Sequence, residues 1–213
     1  MYNCFMRKNA SGFTIVELLI VILILGILTT IAVVAFRGVS DRAVNSKTAE
    51  AVVSFEKALR LYQASHGELP QGDEGNGDVC LGAVADYPLK PGYGEGECVS
   101  VDEADWRSPR VVDESLNQKL VGSGISVPSV AGSVEFTAGS KRFRGVSYIS
   151  YDKWQDVDGD WINTGRVGAI YYWIRGEHDS CPKGQLAGHY DGVTGCVVGL
   201  DDGEASGYAG GEL

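Results

Sequence analysis

The most restrictive feature of this 213-residue sequence is an apolar run near its start. From Leu18 to Phe36 there are nineteen consecutive residues without a charge. As a helix they would extend roughly 28 Å, close to the thickness of the hydrocarbon core of a bilayer. Glu17 directly precedes this run within the same apolar stretch. Insertion scales assign a cost of about 3 kcal/mol to an acidic side chain at mid-membrane, so Glu17 requires a physical explanation.

Two ordinary interpretations of the apolar run do not supply that explanation. Arg7 and Lys8 precede the run and favour a cytoplasmic N-terminus with an exported body. A secretory signal peptide fits poorly, because such peptides have an apolar core of about 7–15 residues that rarely holds an acid. A simple signal anchor fits the length but leaves Glu17 unexplained.

A third interpretation accounts for the carboxylate. Gly12 precedes Phe13 and Thr14, the acid Glu17 lies five places after Gly12, and Gly26 lies within the apolar helix. With these residues the stretch resembles the N-terminus of type IV prepilins and the related pseudopilins. The resemblance is close over about residues 7–66 and extends to the rest of the chain only in general plan.

The resemblance implies a role for each N-terminal residue. Residues 1–12 would be a leader that a prepilin peptidase removes by cutting between Gly12 and Phe13, after which the new amine of Phe13 is methylated. In the assembled filament, the N-terminal amine of one subunit would lie near the Glu17 carboxylate of its neighbour. Pairing two costly charges across subunits offsets much of their cost, so Glu17 would set the register of assembly.

The same resemblance implies the function. The chain is interpreted as a structural subunit of a type IV pilus, and a minor pilin is favoured because major pilins often have proline where this chain has Val34. The alternative is a pseudopilin of a type II secretion system, which shares all these parts. A lone membrane-anchored adhesin is least favoured, because a single anchor gains nothing from Glu17.

The implied partners and location follow from this interpretation. The partners are other pilin subunits, the prepilin peptidase and the inner-membrane assembly platform. The chain would lie in the inner membrane as a single pass with an exported body, and then in a periplasmic or extracellular filament. The net charge of −10 disfavours nucleic acid as a partner.

The pattern predicts an α+β fold. Residues 13–36 form the membrane-spanning half of a long helix and residues 37–66 an amphipathic half, which ends at Gly67 and Pro70. Residues 67–132 read as a variable loop region with a short helix near Asp113–Leu120. Residues 133–213 read as an antiparallel sheet of about four strands with a C-terminal disulfide loop. The sheet would cover an apolar stripe on the helix made of Val44, Thr48, Val52, Phe55, Leu59 and Tyr62.

The cysteines predict two disulfides in an exported body. Cys80, Cys98, Cys181 and Cys196 follow the apolar run, and four cysteines allow three pairings. Cys80–Cys98 and Cys181–Cys196 are favoured because each closes a short local loop. The resemblance also implies the C-terminal pair, since pilins commonly close a loop in this way.

Motifs of catalysis are not found in the sequence. His66, His178 and His189 are the three histidines, and a disulfide-bonded Cys181 near His178 cannot act as a nucleophile. The chain is therefore not expected to be an enzyme. An aromatic group could pack in the sheet or form a sugar- or surface-binding patch, with packing favoured. Its members are Trp154, Trp161, Tyr171, Tyr172 and Trp173.

The one candidate ligand site is an acidic segment, "DVDGDWIN". Asp156, Asp158 and Asp160 alternate like the first ligands of EF-hand-like calcium loops, and Asn163 could complete the shell. Trp161 replaces the glycine of that loop. The alternative is an acidic hairpin tip with Gly159 in the turn. No cofactor is required by the interpretation as a filament subunit, so calcium is an accessory prediction.

Overall fold

The computed structural model describes residues 13–72, 78–101 and 109–200. The chain has two compact units, and the boundary between them lies between Ser40 and Asp41. Within these residues there are two α-helices, one 3-10 turn and nine strands. They are α1 Ile15–His66, β1 Asp78–Leu81, the 3-10 turn Val84–Asp86, β2 Glu97–Val101, β3 Arg110–Val111, α2 Glu114–Gly122, β4 Glu135–Ala138, β5 Lys141–Arg144, β6 Val146–Val157, β7 Asp160–Arg175, β8 Gln185–Tyr190 and β9 Val193–Gly199. The expected α+β class is confirmed.

Helix α1 is assigned without interruption over 52 residues. This continuity agrees with the absence of proline at Val34, since the backbone N–H groups there can all donate within the helix. At its end, Gly67 adopts φ +83° and donates its N–H to the carbonyl of Gln63 at 2.8 Å. Glycine tolerates this left-handed conformation and so satisfies a terminal carbonyl, which ends the helix where the sequence predicts.

The second unit is organised around the predicted apolar stripe of α1. Val52, Phe55 and Leu59 are fully buried, and Thr48 is buried with its hydroxyl donating to the carbonyl of Val44 at 3.0 Å. Ala51 and Ala58 extend the stripe, although the sequence pattern did not include them. The apolar members of the stripe share one hydrophobic core with the sheet residues Tyr148, Ile170, Tyr172, Trp173 and Val197.

The larger sheet has the strand order β1-β6-β7-β9-β8 and its pairs are antiparallel. Its centre is the long hairpin of β6 and β7, where Tyr148 lies opposite Ile170 and both are fully buried. Strand β8 was not predicted, because its sequence QLAGHY combines glycine and polar residues and lacks a β-branched run. It lies at the sheet edge, where pairing with β9 compensates for weak local preference.

A smaller sheet with the order β3-β2-β5-β4 accompanies the first. Two of its strands, together with β1 and α2, come from residues 67–132, which the sequence predicts as loop apart from the helix. The expected single sheet of about four strands is therefore wrong in number. The missed strands have two to five residues each and are bordered by Gly-rich segments, so their alternation is too short to recognise.

Both favoured disulfides are present. Cys80 and Cys98 are joined with a Cα–Cα distance of 5.6 Å, and Cys181 and Cys196 with a distance of 5.9 Å. The first connects β1 of the larger sheet with β2 of the smaller one. It therefore does more than close a loop, because it fixes the two sheets to each other.

Polar contacts fix α1 to the larger sheet. The Asn45 side chain donates to the carbonyl of Arg175 at 2.9 Å and accepts from its N–H at 2.8 Å. Further along, the Arg60 guanidinium donates to the carbonyls of Leu200 and Gly199. These contacts satisfy backbone groups at the ends of strands β7 and β9 and so set the position of the helix along the strands.

Glu56 forms a charged link between α1 and the C-terminal disulfide loop. Its two oxygens contact Arg60 Nε at 3.0 Å and Lys183 Nζ at 2.9 Å, and its side chain is 13% exposed. Burial by itself would raise the pKa of Glu56, but the hydrogen bonds and charges of Lys183 and Arg60 outweigh it and lower the pKa below 4.5. A lowered pKa means that the folded state favours the ionised carboxylate.

We predict that Glu56→Gln destabilises the fold by about 1 kcal/mol at neutral pH. The contribution of the charge is present above the ordinary pKa of 4.5 and is lost as pH falls through the lowered folded-state pKa. Chemical denaturation at a series of pH values should therefore show the variant and the parent converging below about pH 4. Glu50→Gln, on an exposed position of the same helix, is the matched control. A constant difference between parent and Glu56→Gln across this range would contradict the assignment.

Candidate functional site: the N-terminal segment of the long helix

The candidate site begins at Phe13, the first described residue, and includes the first turn of α1. Phe13 is 76% exposed. Gly12 and the predicted cleavage bond to Phe13 lie at the border of the described residues, and Gly12 itself is outside them. The geometry of the site is therefore that of Phe13, Thr14 and Glu17.

Thr14 and Glu17 form a capping box. The N–H and the hydroxyl of Thr14 donate to Glu17 Oε2 at 3.1 Å and 2.9 Å, and the N–H of Glu17 donates to Thr14 Oγ1 at 3.2 Å. Two backbone donors that lack partners at a helix start are thereby satisfied. Because the carboxylate lies beside the N-terminus of the helix, the helix dipole also favours its charge.

This geometry corrects one part of the sequence interpretation. The sequence interpretation gives Glu17 a partner only in a neighbouring subunit, but within the chain it already accepts two hydrogen bonds from Thr14. The signal was present in the sequence, since Thr14-Ile15-Val16-Glu17 fits the Ser/Thr-x-x-Glu pattern of a capping box. Both bonds end on Oε2, so among the described residues Oε1 receives no hydrogen bond.

The helix beyond the capping box is apolar on every side. Its large side chains from Ile15 to Val33 are between 47% and 79% exposed, and an 18-residue window reaches a mean hydropathy of 3.1 with no burial. Burying one such side chain contributes about 1.5–3 kcal/mol, so this surface is stable only against lipid or other apolar helices. By length and composition, the helix can cross a membrane.

Comparison with known proteins bears on this same segment. Residues 7–33 match the model of the prokaryotic N-terminal methylation motif. The type II secretion system core protein G of Aeromonas hydrophila is 28% identical over 104 residues, covering 48% of this chain and 72% of that protein. A fimbrial protein of Neisseria meningitidis is 36% identical over 117 residues, covering 54% of this chain and 66% of that protein. The relationship to type IV pilins and pseudopilins is confirmed.

The extent of the similarity is partial. The core protein G of Dickeya chrysanthemi is 30% identical over 86 residues, which cover 40% of this chain and 53% of that protein. The chain thus spans 72% of the length of the Aeromonas hydrophila protein and 53% of the length of the Dickeya chrysanthemi protein. No solved structure matches the chain at a significant level.

The acidic segment of this pilin-like chain forms a hairpin tip. Asp158 and Gly159 are the two residues of the turn between β6 and β7, with φ +57° and +92°. Two positive φ values are typical of a type I′ turn, for which Asp-Gly is a favoured sequence. The N–H of Gly159 donates to Asp156 Oδ1 at 2.8 Å. The hairpin alternative considered for this segment is therefore the observed geometry.

The predicted convergence of the acidic side chains is not found. Val157 lies opposite Asp160, and Asp156 lies opposite Trp161, so Asp156 and Asp160 belong to opposite faces of the hairpin. Asn163 Oδ1 accepts from the N–H of Gly165 at 2.8 Å and so has a local role. Among the described residues there is no group of three or more His, Cys, Asp or Glu side chains that could hold a metal ion.

The aromatic group predicted as a unit is divided by the fold. Tyr171, Tyr172 and Trp173 are buried in the core of the second unit, as the packing interpretation expects. Trp154 and Trp161 are 55% and 68% exposed. The histidines serve local contacts: the His178 ring contacts the carbonyl of Arg175 at 2.9 Å, and the His189 ring contacts the carbonyl of His178 at 3.0 Å.

The sequence predicts calcium binding at the hairpin tip and the described geometry does not, and thermal unfolding can decide between the two expectations. Because Asp156 and Asp160 lie on opposite faces, binding would require the turn to rearrange, and we expect melting curves in calcium and in chelator to superimpose. The measurement is thermal unfolding of the full chain with calcium, with magnesium at equal concentration, and with chelator. A rise in melting temperature specific to calcium, and reduced in Asp158→Asn, would restore the sequence-based prediction.

Proposed function

We propose that the chain is a structural subunit of a filament built from pilin-like proteins, held in the inner membrane through residues 13–36 before assembly. The observation that carries the proposal is Glu17, hydrogen-bonded within a capping box at the start of an otherwise apolar and exposed helix. The capping box alone does not require a charge at this position, whereas a subunit that docks against others can pair that charge.

Assembly follows from the chemistry of the N-terminus. Cleavage after Gly12 by a prepilin peptidase exposes the amine of Phe13, which is then methylated and remains cationic. The capping box uses Glu17 Oε2, and Oε1 is available to the ammonium of a neighbouring subunit. Burial of two opposite charges among apolar helices is tolerated when they pair, and is costly when a subunit docks out of register.

The exported body has a structural role in this proposal and no catalytic one. The Cys80–Cys98 disulfide joins its two sheets, the Cys181–Cys196 disulfide closes the C-terminal loop, and the Glu56–Lys183 ion pair links that loop to the helix. Its partners during assembly are the inner-membrane platform and other pilin-like subunits. The final location is a filament in the periplasm or outside the cell.

Two filament machines are candidates. A type IV pilus is supported by the similarity to the Neisseria meningitidis fimbrial protein, and the unbroken helix at Val34 favours a minor pilin within it. A pseudopilin of a type II secretion system is supported at least as well, because several of the relatives carry the name of its core protein G.

We predict that Glu17→Val and Glu17→Gln both enter the membrane but fail to enter filaments efficiently. Valine removes the charge and the cap, whereas glutamine keeps an acceptor for the Thr14 hydrogen bonds and removes only the charge. The measurement is the fraction of the chain in sheared or pelleted filaments against the membrane fraction. Normal assembly of Glu17→Gln would show that capping, and not charge pairing, is what assembly requires.

Gly12→Leu is the control for processing. It should leave an uncut precursor in the membrane, while the Glu17 variants should still be cut. Mass spectrometry of the N-terminus should find methylated Phe13 in the parent and in the Glu17 variants. Any other mature N-terminus would contradict the assigned cleavage bond.

Deletion of the gene separates the two machines. A pilus subunit should be recovered in filaments sheared from the cell surface, and its loss should leave protein secretion unchanged. A secretion pseudopilin should instead be required for the release of periplasmic enzymes into the medium, with surface filaments unaffected. Comparing the secreted proteins and the sheared fraction of parent and deletion strains decides between them.

A further inference from the structure

The β6–β7 hairpin continues beyond the sheet as a two-stranded ribbon, defined here as residues 151–166. Strand β1 pairs with β6 only up to Ile149, and β9 pairs with β7 only from Ala169 onward. Residues 151–165 are all exposed. Among the described residues, neither outer edge of the ribbon pairs with another strand between residues 152 and 165.

A β-bulge and several hydrogen bonds fix the base of the ribbon. Between the pairs Asp152–Arg166 and Trp154–Asn163, strand β7 contains one residue more than β6, which is a β-bulge. Gly165 in the bulge adopts φ +121°, and its N–H donates to Asn163 Oδ1 at 2.8 Å. Arg166 donates to Asp152 Oδ1 at 2.9 Å and to the carbonyl of Leu69 at 3.2 Å. These contacts set the direction in which the ribbon leaves the sheet.

One face of the ribbon carries two exposed tryptophans. Trp154 lies opposite Asn163 and Asp156 lies opposite Trp161, which places these four side chains on the same face. The tryptophans are diagonal neighbours, a relation that corresponds to about 7–8 Å between positions. The other face carries Val157 and Ile162, which are 44% and 47% exposed. Large exposed aromatic side chains on an isolated ribbon mark a surface that contacts something else.

The charge of the ribbon indicates which chemical groups would bind to it. Its outer residues 154–163 contain Asp156, Asp158 and Asp160 and no lysine or arginine. The cations at the base are Lys153 and Arg166, and Arg166 is paired with Asp152. Tryptophan faces attract cations through the ring quadrupole, and neighbouring carboxylates attract the same groups. A second copy of this chain, with a net charge of −10, is a poor occupant for an acidic tip.

We propose that the tryptophan face of the ribbon binds a basic segment of another protein, with an arginine or lysine side chain over Trp154 or Trp161 and beside Asp156. This interaction is independent of the N-terminal helix and adds a heterologous partner to the proposed filament subunit. Arginine suits the site particularly well, because its planar guanidinium can stack on an indole while donating to a carboxylate.

The test uses the full chain in detergent micelles and a fluorescent peptide of alternating arginine and serine as the probe. Trp154→Ala/Trp161→Ala keeps the net charge and should weaken binding about tenfold. Val157→Ala/Ile162→Ala is the matched control, since it removes two exposed apolar side chains from the opposite face and should leave binding unchanged. Unchanged melting temperatures of both variants establish that the fold is retained.

Further arms separate the alternatives. Asp156→Asn preserves the acceptor for the Gly159 N–H and should also weaken peptide binding, and added salt should weaken binding by the parent. A glutamate–serine peptide should not bind. Equal binding of the arginine peptide by the parent and by the tryptophan variant would overturn the proposal. Preferential binding of a neutral oligosaccharide such as cellohexaose, lost in the same variant, would overturn it in favour of a carbohydrate site.

Discussion

One helix has to meet two different solvation requirements in this protein, and the rest of the chain depends on how it does so. From Ile15 to Val33 the described side chains leave no polar face, so the segment needs an apolar environment all round. From Val44 onward, buried residues recur at steps of three and four, and the segment needs only a cover on one side. The sheets supply that cover, and Phe55 and Leu59 are completely removed from water.

The Glu17 carboxylate is stabilised by local hydrogen bonds and can still pair with a charge on another subunit. In the isolated chain its charge is moderated by two hydrogen bonds from Thr14 and by the start of the helix. This reduces the penalty of keeping a carboxylate beside an apolar segment, but among the described residues Oε1 accepts no hydrogen bond. The ammonium of a partner can therefore still form an ion pair with Glu17. Such a pair favours one register of docking more than it strengthens association in general.

Prediction from sequence succeeded where a long-range pattern or a chemical constraint was strong. The length of the apolar run, the stripe around Phe55 and the four cysteines that follow the apolar run each led to a correct element or pairing. It failed where the decisive information was short or tertiary. Strands β2 and β8 have little local signal and are stabilised by their neighbours. Ala51 and Ala58 lie three or four residues from members of the stripe, so helix periodicity is compatible with their burial.

The acidic segment illustrates why residue spacing is weaker evidence than register. Alternate aspartates suit a calcium loop and equally suit a hairpin, since alternation is also the period of a strand. What decides is the turn: Asp158 and Gly159 occupy its two central positions, which places Asp156 and Asp160 on opposite faces. The same register places Asp156 between Trp154 and Trp161 on one face. The chemistry available there is consequently that of aromatic rings with an adjacent carboxylate, which suits an organic cation better than a metal ion that needs several converging oxygens.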